Sequence, residues 1–164
     1  LRFSLIVNNA PGNDPVISEE KIRGYRNFAN KIWNASRFVL MNLDDFDKNY
    51  LPPLSKDEKT IIKDLEKLIK DVTKDMDNFN YHIASEKLYQ YFWHVFADKI
   101  IEQNKARLQN EKERPAAQYI LVTVLQTLLK MLHPFMPYIT EEIYQMLPIN
   151  KKDFLMIENW PQKI

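Results

Sequence analysis

The chain is predicted to be all-α, an antiparallel bundle of four long helices plus a short fifth, and three observations carry that prediction. Between Leu54 and Arg114 there is neither proline nor glycine, the two residues that cost most in a helix interior. The nine prolines mark joints instead: Pro11 and Pro15, Pro52 and Pro53, Pro115, Pro134 and Pro137, Pro148, and Pro161. Between the joints, apolar residues recur at alternating steps of three and four, the pattern of a helix with one buried stripe. At 164 residues, 45% hydrophobic and 27% charged, this is one ordinary domain, able to bury roughly 68–70% of the surface its unfolded form exposes.

Each element has local reasons. The first long helix starts after Ser18, an N-cap, with Glu19 and Glu20 in its acidic first turn. Its stripe reads Ile22, Tyr25, Ala29, Ile32, Ser36, Val39 and Leu43. The second opens with Ser55 and Glu58 in capping-box spacing and carries Ile61, Leu65, Leu68, Val72, Met76 and Phe79. A break at Asn78-Phe79-Asn80 leads to the third, with Leu88, Phe92, Val95, Phe96 and Ile100. Residues 109–114 are polar and read as a loop. Pro115 suits the first turn of the fourth helix, whose Ile120–Leu132 run makes it the most buried. After the corner His133-Pro134-Phe135-Met136-Pro137, Thr140 is expected to cap a short helix with Glu141 and Glu142, closed by Pro148. Short connections make the bundle antiparallel. Residues 1–149 form this unit, with 1–17 as a connecting segment. Residues 150–164 form an irregular tail packing on or leaving the bundle, with Phe154–Ile157 extended and Trp160-Pro161 folded back on the helices.

Composition removes several kinds of chemistry. With no cysteine there are no disulfides, thiolate metal sites or thiol nucleophiles. Two glycines cannot build a glycine-rich phosphate loop. A di-metal bundle needs Glu-x-x-His pairs, but the positions three before the histidines are Phe79, Tyr91 and Lys130. His94 and Asp98 share a face at i, i+4, which reads as a helix contact rather than half a metal site. Residues 1–7 are too short to span a membrane and carry no cleavage pattern. The absent initiator methionine points to a piece of a longer chain. The expectation is a soluble monomer of a reducing compartment, without a catalytic constellation or a cofactor of its own.

The first helix stands apart. Between Lys21 and Leu43 lie five cations (Lys21, Arg23, Arg26, Lys31, Arg37) and no acid, although the net charge is only +1. Opposite the apolar stripe the helix presents Asn27, Asn30, Lys31, Asn34, Phe38 and Met41. An aromatic ring among amides and cations suits single-stranded nucleic acid: the ring stacks on a base, amides read base edges, and cations hold phosphates. Arg23, Arg26, Lys105 and Arg107 are further candidates, as phosphate contacts. A second reading places Phe38 in the core beside Phe28 and Trp33 and leaves the polar residues solvated. Gly24 costs about 1 kcal/mol against alanine in a helix interior, which fits either a close backbone approach or tolerated drift.

Residues 21–40, with the string G-Y-R-N-F-A-N-K-x-W-N-A-x-R-F-V-L from Gly24 to Leu40, closely resemble the helix that opens the anticodon-binding domain of valyl-tRNA synthetases, class I aminoacyl-tRNA synthetases. The resemblance continues in residues 91–98 (YFWHVFAD), in residues 133–144 (HPFMPYITEEIY), and in Asn159-Trp160-Pro161. Leu1-Arg2-Phe3 is similar to the segment that follows the catalytic domain's lysine loop, so residues 1–17 would arrive from that domain.

The resemblance implies a helical bundle that grips the anticodon arm of a valine tRNA, within a cytoplasmic enzyme that joins valine to tRNA using ATP and Mg²⁺ and edits mischarged threonine. It places anticodon contacts at Lys31, Arg37 and Phe38; Asn27, Asn30 and Asn34 are added from the helix face alone. It makes the partners the tRNA and the catalytic domain of the same chain, with no membrane. The two ATP-site signatures, of the HIGH and KMSKS types, are not in these residues, so the chain by itself would bind tRNA without activating valine. Three departures bear on this: Tyr144 stands where tryptophan is frequent, the family's C-terminal coiled coil is missing, and Asp44, Asp45 and Asp47 follow the basic helix closely. Trp93, Phe96 and Asp98 are read as architecture. The rival readings are the matching domain of an isoleucine enzyme, which the first-helix string disfavours, and a helical protein-interaction module.

Overall fold

The computed structural model describes residues 1–7, 9, 12, 18–150 and 153–164. The joints expected at Pro11 and Pro15 fall outside the described residues, as does most of the connecting segment after Val7. The elements are α1 (Arg2–Ile6), α2 (Glu19–Leu40), α3 (Lys56–Asp77), α4 (Tyr81–Gln90), a π-helical segment (Tyr91–Ile100), α5 (Ile101–Lys105), α6 (Arg114–Leu132) and α7 (Pro137–Met146). Short 3₁₀ turns occupy Arg107–Gln109 and Leu155–Ile157. Among the described residues there is no strand. Because α4, the π segment and α5 run on without a break, the fold is the expected one of four long helices and a shorter α7, with the small helix α1 in addition.

The helix starts follow their caps. Ser18 Oγ accepts from the Lys21 N–H at 3.1 Å. The capping box at Ser55 is complete: its hydroxyl accepts from the Glu58 N–H at 3.3 Å, and the Ser55 N–H donates to the Glu58 carboxylate at 2.7 Å. Helix α6 runs through the middle, against α2, α3, α4 and α7. Thirteen of its 19 residues are buried, so a helix apolar and long enough to cross a membrane is here the core of the bundle. The inward side of α2 is Phe28, Ile32, Ala35, Ser36 and Val39. Ile22, Tyr25 and Ala29 are only half-buried, because Phe28 draws the stripe toward its own side.

Three local expectations are corrected. Phe79 does not extend the α3 stripe: it is 71% exposed, with φ +61°. It occupies the left-handed position of a Schellman end. The Asn80 N–H donates to the Asp75 carbonyl at 2.8 Å, and the Phe79 N–H to the Met76 carbonyl at 3.1 Å. That conformation turns the side chain away from the helix. Thr140 does not cap α7 but lies buried within it, its hydroxyl donating to the Met136 carbonyl at 2.9 Å. Pro137, whose missing N–H costs nothing in a first turn, starts the helix instead. Phe154–Ile157 is not extended, since Leu155–Ile157 form a 3₁₀ turn around buried Leu155. Beyond it, the Trp160 indole N–H donates to Thr73 Oγ1 at 2.8 Å and Lys130 pairs with Glu158 at 3.2 Å, so the end of the chain lies along α3 and α6.

Candidate nucleic-acid interface

At 100° per residue, the direction opposite Phe28, Ile32 and Val39 falls on Arg23, Arg26, Asn27, Asn30, Asn34 and Arg37. All six are exposed. From Arg23 to Arg37 this row covers about 21 Å of helix at 1.5 Å per residue. Arg23 pairs with Glu19 one turn away at 3.1 Å, both side chains well exposed. Among the described residues, Arg26, Arg37, Asn27, Asn30 and Asn34 have no side-chain hydrogen bond or ion pair. Two cations and three amides therefore stand with all their donors and acceptors turned to solvent.

Lys31 and Phe38 sit at the edge of this face, where α2 meets the π segment. The Lys31 ammonium is 2.7 Å from Asp98 Oδ1 and 5.5 Å from the centre of the Trp93 ring. That hydrogen bond holds the Asp98 carboxyl below its ordinary range. His94 Nδ1 lies 3.5 Å from the other Asp98 oxygen. Phe38 is half-buried: it packs on the core cluster, and the Lys105 ammonium lies 5.8 Å from its ring centre. One part of the Phe38 ring therefore lies in the bundle and the rest at the surface. Lys105 itself pairs with Glu102 at 2.7 Å and stays half exposed.

The remaining candidates are more enclosed. Arg107 donates to Asn104 Oδ1 at 2.7 Å and to Glu113 at 3.2 Å, and it pairs with Glu58, whose side chain is only 3% exposed. Burial works against the Glu58 charge, but hydrogen bonds from the Ser55 backbone and Arg107 outweigh it, so its carboxyl titrates below the ordinary value. Of the three aspartates after α2, Asp45 is engaged by the Arg114 guanidinium at 2.8 to 2.9 Å and by the Gln118 amide at 2.7 Å. Arg114 lowers its pKa to about 2. Asp45 therefore latches the α2–α3 connection to α6, and its charge is already matched. Gly24 faces solvent, and a Cβ built there would meet nothing within 4 Å; no close approach among the described residues requires a glycine.

Sequence reasoning read Lys31 as a contact and Trp93 and Asp98 as architecture, without joining them. Asp98 and Trp93 lie on another helix, more than sixty positions away, and only the i, i+4 pairing of His94 with Asp98 was visible along the chain. The residues present do not fit an ATP or Mg²⁺ site. Among the described residues no three His, Asp or Glu side chains converge, and Gly12 and Gly24 stand singly. What the arrangement can do is bind by stacking, hydrogen bonding and charge.

Residues 58–164 match a family described as the anticodon-binding domain of tRNA ligase. A valine–tRNA ligase of Thermotoga maritima is 42% identical over 162 residues, covering 99% of this chain and 18% of that protein. One of Clostridium acetobutylicum is 46% identical over 166 residues, covering 98% and 19%, and one of Aquifex aeolicus is 40% identical over 179 residues, covering 99% and 15%. The chain thus spans less than a fifth of the length of these relatives. The family match lies on α3 to the end of the chain, behind the exposed face, while the relatives' similarity extends across α2 as well. On a match that takes in about two thirds of its residues, this chain belongs to the anticodon-binding domain family of tRNA ligases.

Proposed function

We propose that this chain reads the anticodon arm of a valine tRNA as the anticodon-binding part of a valine–tRNA ligase. The observation that carries the reading is the open face of α2, where Arg26, Arg37, Asn27, Asn30 and Asn34 have no described partner beside a half-exposed aromatic ring. Phe38 stacks on an unpaired base, Lys31 and Arg37 contact phosphate or base edges, and the asparagines hydrogen-bond base edges. Arg23, Arg26 and Lys105 supply phosphate contacts, while Arg107 serves mainly to close the end of the bundle against Glu58. The parent enzyme attaches valine to its tRNA in the cytoplasm, with ATP and Mg²⁺ held by a catalytic domain of the same longer protein. This chain contributes recognition as a monomer, without a membrane partner.

The test is binding of labelled anticodon stem-loops (valine-type, isoleucine-type and scrambled) at two salt concentrations, with Phe38→Ala in parallel. The valine-type loop is expected to bind best and to weaken with salt through phosphate contacts. Phe38→Ala is expected to remove about 1–3 kcal/mol of its binding, the contribution of one stacked base. Equal weak binding of all loops, unmoved by the substitution, would leave only a generic basic surface. A concentration-dependent dimer indifferent to RNA would favour the protein-interaction reading.

A further inference from the structure

We infer that Asp98 and Trp93 are positioning residues that hold the Lys31 ammonium in place for RNA, a step that rests on Lys31 being an RNA contact. An ammonium carries three donors on a four-carbon flexible stem, so an exposed lysine ordinarily reaches its partner only after its rotamers are restricted. Here the stem is already fixed. One donor is spent on Asp98 Oδ1 at 2.7 Å, and the Trp93 ring supports the charge from 5.5 Å. The donors left over belong to a side chain that is still 32% exposed, on the row that continues through Asn34 to Phe38.

The support is itself anchored. Trp93 lies nearly parallel to fully buried Phe28, with ring centres 6.1 Å apart and planes at 16°, and also meets Tyr89 at 5.6 Å. Asp98 is held on its second oxygen by His94 at 3.5 Å. The backbone geometry explains how one lysine meets both. In an α-helix, residues five apart point about 140° away from each other. In a π-helical segment the hydrogen bonds run from i to i+5 and each turn takes in more residues, so residues five apart are brought toward the same side of the helix. Trp93 and Asp98 are five apart inside the π segment Tyr91–Ile100, and both face Lys31 across the helix boundary. A surface ion pair of this exposure adds little to stability, so architecture alone gains little from building it. Fixing a cation before its ligand arrives lowers the ordering cost of binding.

Simple charge and positioning predict opposite signs for Asp98→Asn. If Asp98 merely repels phosphate or competes for Lys31, neutralising it tightens binding of every loop. If it positions Lys31, the valine-type loop binds more weakly while the scrambled loop does not. The experiment measures Kd for both loops with the chain itself, Asp98→Asn, Asp98→Glu, Lys31→Met and the Lys31→Met/Asp98→Asn double variant, with circular dichroism and melting curves to establish that each is folded. Should Asp98→Asn fail that check, Asp98→Ser replaces it. The expected result is a loss of preference for the valine-type loop by roughly three- to tenfold in Asp98→Asn, the size of a modest coupling between touching side chains. Asp98→Glu restores part of it, and Asp98→Asn causes no further loss once Lys31 is Met. A preference lost in Lys31→Met but kept or raised in Asp98→Asn overturns the positioning role and leaves the RNA reading standing. A preference untouched by Lys31→Met overturns both.

Discussion

At one end of the bundle, where the α2–α3 connection meets the start of α6, charged side chains close on one another: Arg114 with Asp45, and Arg107 with Glu58 and Glu113. Along the outer face of α2, Arg26 and Arg37 stand beside three asparagines with no described partner. Both regions carry arginines, and they differ in what surrounds them. In the first, each guanidinium is half covered and opposed by a carboxylate from a distant part of the chain, so its binding capacity is consumed in holding connections to helices. In the second, the helix turns its polar side outward with no facing element among the described residues, so that capacity remains for another molecule. Lys31 stands between the two conditions, paired on one side and open on the other. A count of cations therefore says little about where RNA binds; the useful quantity is the number of donors that folding leaves unspent.

The comparison can be broken most severely at Glu58. Glu58→Ala removes both the capping box of α3 and the carboxylate opposing Arg107, and is expected to lower stability by about 2–3 kcal/mol. This is somewhat under the cost of breaking a fully buried pair, because Arg107 keeps Glu113 and Asn104. Urea unfolding measures the loss, and the folded variant should bind the valine-type loop as before. Arg37→Ala should do the reverse. Its stability should stay within about 0.5 kcal/mol of the parent, as for an exposed side chain with no described partner. The slope of log affinity against log salt for the stem-loop should become shallower by about 0.7, the share of one phosphate contact with a single strand. A stability loss with unchanged salt dependence would put Arg37 in the first class of charge rather than the second. The smallest effect is expected at Gly24. With open space around a new Cβ, Gly24→Ala should raise the stability of α2 by up to about 1 kcal/mol, seen as a higher melting temperature. Should the same variant bind RNA less well, the bare backbone at Gly24 marks where the ligand comes closest to the helix.

Much of the bundle was legible along the chain because its signals act within a turn or two. Ser18 and the Ser55–Glu58 box started α2 and α3 where expected, and Pro115 entered the first turn of α6. Misreadings arose where a local pattern had two solutions. Phe79 continues the period of α3, yet the Schellman end takes it out of the helix. Thr140 with two following glutamates resembles a cap, yet Pro137 starts the helix earlier. No periodicity of 3.6 announces the π segment Tyr91–Ile100, because its wider turn is a matter of backbone hydrogen bonding from i to i+5, which the order of apolar side chains does not encode.

For the candidate site the division follows the range of the interactions. Residue order settled that α2 is a helix and that Asn27, Asn30 and Asn34 share its polar side, since these depend on neighbours three or four positions away, and composition settled that no glycine-rich loop or thiolate accompanies them. Which charges remain open was decided by the docking of helices. Asp98 reaches Lys31 across 67 positions and Asp45 reaches Arg114 across 69, and Phe38 becomes half core and half surface according to how α2 lies against the π segment. The free energy of such contacts depends on burial and on distances of a few ångströms, and a linear pattern carries neither until the chain has packed.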